Sequence, residues 1–281
     1  MAQVQEYPVI WLQGATCTGC SVSVLNSVSP TIKNVLVDEV VPGKHVSLRY
    51  HATIMAGAGE GAIKALEAEI ARGGYLLVME GAIPTAAEGA YGHIGEETIL
   101  QVVEKSARSA AAIIALGTCA CYGGIPAAAP NPSGCVGIGE LLDRWGVNVP
   151  LINVPGCPPH PDWFVGTVAA LLLGDLKVPP LDDFERPLAF YGSLIHENCP
   201  RRAYFDEGKF AKKPGDPGCL YYVGCKGPLT YADCPKRLWN GGTNWCIGTG
   251  SPCQGCVQPE FPDGLAAFYK RVADDDVPAI A

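Results

Sequence analysis

Residues 8–14 read PVIWLQG and run without a break into ATCTGCS at 15–21, so a continuous apolar stretch closes on two cysteines, Cys17 and Cys20. Such a run is the pattern of a strand buried on both faces. It returns as YLLVMEG at Tyr75–Gly81, AAIIALGT at Ala111–Thr118 and LINVPG at Leu151–Gly156, and Asn34–Val41 reads as a weaker fifth. Between these runs, residues 60–72, 97–110 and 136–145 carry amphipathic helical spacing, and 162–173 an apolar helix. Strand and helix in alternation predict an α/β fold, a doubly wound domain whose strands converge with their carboxyl ends on one crevice.

Bulk composition sets the outer limits. A chain of 281 residues, 48% hydrophobic, can bury a full core as one large domain or as one plus a smaller one. Its net charge of -8 comes without the clustered Lys and Arg that phosphate binding requires, which excludes a nucleic-acid surface and points to a protein partner. No apolar run approaches the roughly 20 residues of a membrane span. Met1–Pro8 lacks the basic and apolar regions of a signal peptide, so the chain reads as soluble and its compartment stays open.

The alternation stops around Pro179 and Pro180, predicting a boundary between an α/β domain over 1–180 and a second domain over 181–281. The second part is rich in Cys, Gly, Pro and aromatics, with little periodicity, and holds seven of the chain's 13 cysteines. Apolar burial alone would not fold it; cofactors would have to organise it. An odd number of cysteines in a well-cored chain argues for metal ligation rather than a disulfide framework.

Three constellations carry that chemistry. Cys17 and Cys20 follow the first buried strand, Cys119 (GTCACYGG) the third and Cys157 (PGCPPHP) the fourth, so convergent strand ends would gather four thiolates. Taken singly, C-x-x-C could be a redox dithiol or a zinc site and Cys119 a core cysteine; jointly they point to zinc or an iron–sulfur cluster. The glycines beside them, Gly14, Gly19, Gly117, Gly123, Gly124 and Gly156, would admit a cluster close to the backbone, or simply make turns. Next, IHENC and GCLYYVGCKGP supply His196, Cys199, Cys219 and Cys225, an ordinary zinc set or a mixed cluster set near the surface. Last, Cys234, Cys246, Cys253 and Cys256 are interleaved with Trp239 and Trp245. Their 12, 7 and 3 spacing lacks the paired C-x-x-C halves of a zinc ribbon, and the aromatics would shield a cubane.

Together WLQGATCTGCS, GTCACYGGIPA, NVPGCPPHP, IHENCPRR, GCKGP and the C-terminal cysteine run resemble the small subunit of nickel-iron hydrogenases, over nearly the whole chain. The resemblance implies a flavodoxin-like N-terminal domain holding a proximal cluster, and an irregular C-terminal domain holding medial and distal ones. By position it makes Cys17, Cys20, Cys119 and Cys157 proximal, His196, Cys199, Cys219 and Cys225 distal, and Cys234, Cys246, Cys253 and Cys256 medial. It further implies reversible H2 oxidation at a Ni-Fe centre in a partner large subunit. This chain would be the electron relay, with no catalytic residue of its own, towards a carrier expected to be a c-type cytochrome. A periplasmic setting, with or without membrane association, comes from the same resemblance. The rivals are a related subunit of another cluster-bearing oxidoreductase, such as a complex I-like module, and a zinc-stabilised interaction protein.

Departures from the family pattern refine the expectation. Most members place proline after NW beside a medial 3Fe-4S cluster; here that place is Cys246, implying a third 4Fe-4S cluster and resembling the nickel-iron-selenium subclass. Oxygen-tolerant members carry two further cysteines where this chain has Gly19 and Gly124, so their six-cysteine cluster is not expected. Val22 replaces a glutamate common in the family. Cys121 and Cys135 fall outside the ligand set, Cys121 as a buried thiol and Cys135 as an exposed, oxidisable one in a loop. Glu80, at a strand end near the first site, is expected as a hydrogen-bonded structural carboxylate.

Overall fold

In the computed structural model, which describes residues 4–39, 41–265 and 268–270, the apolar runs form one sheet. Its strands are β1 (Gln5–Gln13), β2 (Lys44–His51), β3 (Leu76–Glu80), β4 (Ala112–Leu116) and β5 (Leu151–Val154), all parallel, in the order β2-β1-β3-β4-β5. This is the doubly wound order whose chain direction switches between β1 and β3, so the crevice at the carboxyl ends opens there. Every residue of β3 and β4 is buried, as their unbroken apolar character requires.

The helices α1 (Gly19–Leu25), α2 (Ile32–Leu36), α3 (Gly59–Arg72), α4 (Ile99–Ser109), α5 (Thr118–Tyr122) and α6 (Ile138–Trp145) lie between the strands, and α7 (Pro161–Leu173) follows β5. Local chemistry starts them. In α4 a capping box joins Thr98 and Gln101: Thr98 Oγ1 accepts from the Gln101 amide at 3.3 Å and Gln101 Oε1 from the Thr98 amide at 3.0 Å. For α7, His160 Nδ1 accepts the Asp162 amide at 3.1 Å and Pro161 opens the first turn.

Two expectations need correction. The segment expected as a strand at Asn34–Val41, of which Val40 lies outside the described residues, instead begins in the last residues of α2, nucleated by a Thr31–Asn34 capping box, and the fifth strand is Lys44–His51. That strand lies at the sheet edge and mixes polar with apolar residues, so it lacks the continuous apolar signature of its neighbours. The boundary also moves: the chain divides into compact units Met1–Pro187 and Leu188–Ala281. Residues 181–187 belong with the first unit because the Asn153 amide donates to the Glu185 carbonyl at 2.8 Å and Asn153 Nδ2 to the Phe184 carbonyl at 3.0 Å.

In the second unit the longest helix among the described residues is Arg202–Asp206, five residues, and strand contacts are isolated bridges. Cys219 and Tyr221 form a small buried cluster with Phe205, Phe210 and Leu229, and Ile195, Trp245, Ile247 and Val257 are buried as well. Among the described residues no helix is long and apolar enough to cross a membrane.

Candidate metal-cluster sites

In the first unit the strand ends hold their cysteine loops in place by backbone bonds. The Gly117 amide donates to the Val154 carbonyl at 2.9 Å, the Thr118 amide to the Gly156 carbonyl at 3.0 Å, and the Gly156 amide to Thr118 Oγ1 at 2.9 Å. These bonds lock the loop of Cys119 against that of Cys157. Burial pushes the Cys119 thiol up to about 11, with Cys157 and Cys17 adding to the rise. Cys157 is raised by burial and by Cys17, and Cys20 by burial, then Glu80, then Cys119 and Cys17. The four thiols are therefore electrostatic neighbours, and Cys20, Cys119 and Cys157 would ionise readily only with a cation among them.

Glycine makes the crowding possible at two points. Gly117 sits at φ +89°, and a Cβ there would lie 2.5 Å from Cys20 Sγ. At Gly124, φ +50°, a Cβ would meet the Cys119 backbone nitrogen at 2.9 Å; at Gly19 it would meet only the Cys17 sulfur, at 3.0 Å.

Glu80 ends β3 fully buried and anchors the Cys20 loop. Its carboxylate accepts from Trp11 Nε1 at 2.9 Å, Gln13 Nε2 at 3.1 Å, Thr16 Oγ1 at 3.3 Å and the Ser21 amide at 3.2 Å, and from the Ser21 hydroxyl. Ser21 Oγ also meets Nε2 of fully buried His51 at 3.1 Å, whose Nδ1 accepts the Thr53 amide. Burial lowers the His51 pKa against the opposing pull of Glu80. Sequence reasoning singles out Glu80 but misses His51 and Ser21, because β2, which carries His51, lacks a strand signature. Glu80→Leu is expected to leave several buried donors unmatched and cost about 3 kcal/mol or more. Thermal unfolding would show a drop of several degrees, with Glu80→Gln losing less; a Glu80→Leu variant as stable as the parent would refute the anchoring role.

The second unit gathers the other two sets. The turn Ile195–Cys199 places His196 one step from Cys199, and the Cys219 amide and carbonyl bond Lys209 O and the Ala211 amide, both at 2.9 Å. Cys225, pushed up to about 12 mainly by burial, is also raised by Cys199 and Cys219. His196 is 5% exposed rather than at the surface; its ring packs edge-on against Phe205 at 4.6 Å and its buried Nε2 has no hydrogen-bond partner among the described residues. Burial, reinforced by Arg202, lowers its pKa, keeping the imidazole neutral and able to ligate. Cys234 is raised by burial and then by Cys256 and Cys246, and Cys253 by burial and then by Cys225 and Cys256. Trp239 hydrogen-bonds Cys234, and Trp245 is buried.

The residues present fit clusters on chemical grounds. Cysteine thiols neighbour one another around Cys119, around Cys225 and around Cys234, the buried imidazole nitrogen of His196 is orphaned among the described residues, and amides aim at sulfur: Gly227 N–H to Cys225 Sγ at 3.4 Å and Gly255 N–H to Cys253 Sγ at 3.5 Å. Among the described residues no three His, Cys, Asp or Glu side chains converge on a point suited to one metal ion; thiolates around a cluster bind separate irons. Of the remaining cysteines, Cys121 is a core thiol donating to the Ala115 carbonyl at 3.2 Å. Cys135, expected to be exposed, is 2% exposed: its short strand pairs with Ile83–Pro84 and its sulfur lies 3.2 Å from Ser133 Oγ.

A doubly wound sheet with thiols massed at its strand ends, followed by a unit organised around cysteines, is the build of an oxidoreductase subunit that carries clusters. Known proteins narrow the class. Residues 191–269 match the family model for the C-terminal part of the NiFe/NiFeSe hydrogenase small subunit, and residues 17–171 match "NADH ubiquinone oxidoreductase, 20 Kd subunit". The chain is 47% identical to the periplasmic [NiFeSe] hydrogenase small subunit of Desulfomicrobium baculatum, over 94% of this chain and 87% of that protein. It is 43% identical to the periplasmic [NiFe] hydrogenase small subunit 1 of Nitratidesulfovibrio vulgaris, over 93% and 81%. The solved structure of the H2-activated D. baculatum [NiFeSe]-hydrogenase superposes with a TM-score of 0.89 at 44% identity, covering 95% of this chain and all of that one. The chain belongs to the NiFe/NiFeSe hydrogenase small-subunit family. The complex I-type match lies within the first unit, whereas the hydrogenase family model covers the segment with IHENC and GCKGP.

Proposed function

We propose that this chain is the electron relay of a [NiFeSe]-type hydrogenase heterodimer. Cys17, Cys20, Cys119 and Cys157 would hold the proximal 4Fe-4S cluster, Cys234, Cys246, Cys253 and Cys256 the medial, and His196, Cys199, Cys219 and Cys225 the distal. The observation that supports the reading is the massing of cysteine thiols around Cys119, around Cys225 and around Cys234, with Cys121 and Cys135 engaged in the core instead. When bound, the clusters supply one-electron storage and transfer. The protein's part is to fix their spacing, surround them with apolar and aromatic side chains and aim amides at their sulfurs, without acid–base chemistry.

The partner large subunit would hold the Ni-Fe centre and cover the face around the proximal set. Supporting this, Cys17 and Cys157 are exposed here, and so are the apolar Val22, Leu25, Val28 and Ile125 on neighbouring segments. The electron carrier would be a c-type cytochrome approaching the His196 set, and the compartment the periplasm, as the relatives' names suggest.

The test is electron paramagnetic resonance and metal analysis of the air-oxidised heterodimer. The reading requires about twelve irons per small subunit and no 3Fe-4S signal. A strong 3Fe-4S signal would remove the medial assignment alone; zinc in place of iron would remove the whole reading.

A further inference from the structure

Lys226, between Cys225 and Gly227 in GCKGP, is buried to 4% exposure. Its ammonium donates to the Lys270 carbonyl at 2.9 Å, and among the described residues it has no carboxylate partner. A lysine buried without an anion is costly, so its charge must be compensated locally. Burial is the largest influence against its charge and Lys270 adds to it, while Cys225 and Cys253 favour the charged form and are the groups placed to compensate it. These two sulfurs belong to different donor sets.

The backbone ties the same two sets together. The Lys226 amide donates to the Cys253 carbonyl at 2.8 Å. Its carbonyl accepts the Thr230 hydroxyl at 2.6 Å, and Thr230 Oγ1 in turn lies 3.8 Å from Cys253 Sγ. From Cys225 to Cys253 the route is one peptide unit and one hydrogen bond.

Building on the ligand sets proposed above, we propose that Lys226 is a positioning residue for electron transfer between the medial and distal sets. Its backbone bridges them, and its buried ammonium eases reduction of both. The step is a one-electron exchange: one set is oxidised as the other is reduced, and Lys226 keeps its proton throughout. A fixed positive charge beside each set stabilises the more negative, reduced state, and does so strongly where water is excluded. Because Lys226 follows Cys225 directly and its amide bonds the Cys253 carbonyl, its charge acts on both sets and raises both potentials.

Potentiometric titration of the holo-heterodimer, followed by electron paramagnetic resonance, tests this with Lys226→Met, Lys226→Gln and Lys226→Arg. In the two neutral variants the medial and distal couples should both move to lower potential. A tenfold fall in the reduced-to-oxidised ratio at a fixed potential corresponds to about 59 mV for one electron. The proximal couple should stay in place, and Lys226→Arg should keep all three near the parent values. Unmoved couples in Lys226→Met with full iron content would overturn the proposal, as would an arginine variant that shifts as far as methionine. If the neutral variants lose iron, retention by Lys226→Arg supports charge compensation, and equal loss by all three overturns it. Failure of the ligand assignment is separate, since it would leave even the parent without three couples.

Discussion

Cys246→Pro is expected to lower the iron content from about twelve to about eleven per small subunit and to give the oxidised heterodimer a strong 3Fe-4S signal that the parent lacks. Cys246 shares its neighbourhood with Cys234, and its carbonyl accepts the Ser251 amide at 3.0 Å and the Thr249 hydroxyl at 2.8 Å, so the loop is held by backbone bonds that survive loss of the thiol. One ligand would disappear while the other three stay in place. Losing a thiolate also removes negative charge, so the medial couple should rise in potential. Cys246→Ser, which keeps a weaker donor, should fall between parent and proline. An unchanged iron count and a silent spectrum in the proline variant would show that Cys246 is not a ligand.

Stripping iron from the protein is expected to dissolve the second unit and spare the first. The first rests on a five-stranded sheet with a contiguous apolar core, including Ile10, Leu12, Leu77, Ile113 and Ala115, all fully buried. The second is poor in regular structure: among the described residues its longest helix is the five-residue Arg202–Asp206, too short to sustain itself. Where metal binding and folding are one event, the binding free energy, about 10 kcal/mol or more for structural zinc in peptides, is folding free energy. Amide hydrogen exchange after iron removal should therefore lose about two orders of magnitude or more of protection across 188–265, while β1, β3 and β4 remain protected. Equal protection before and after removal would show that the second unit folds on side-chain packing alone.

What could be read from the sequence follows from where the physics is local. β1, β3, β4 and β5 were legible because strands buried on both faces must be apolar throughout, and the position of Cys17, Cys20, Cys119 and Cys157 just past strand ends because a strand end fixes where the next loop begins. β2 was not legible: an edge strand may carry Lys44, His45, Ser47 and Arg49, and α2 took its place because a Thr–Asn capping box outweighs a short mixed run. Exposure was the other weak point. Cys135 sits in a Gly-, Pro- and Asn-rich stretch that reads as surface, yet a two-residue pairing with Ile83–Pro84 folds it inward. Lys226 escapes a sequence reading because a lysine reads as surface by default. Its burial depends on Cys253 and Lys270, tens of residues away.

The two glycines beside the first site differ in what they would permit over evolutionary time. A cysteine arising at Gly19 meets only the movable end of the Cys17 side chain, whereas one at Gly124 must be built in a left-handed backbone conformation with its Cβ against the Cys119 main chain. A lineage with this loop could acquire the first extra sulfur in a single step. The second would have to wait until the 123–127 turn had been rebuilt, so the two changes are ordered rather than interchangeable.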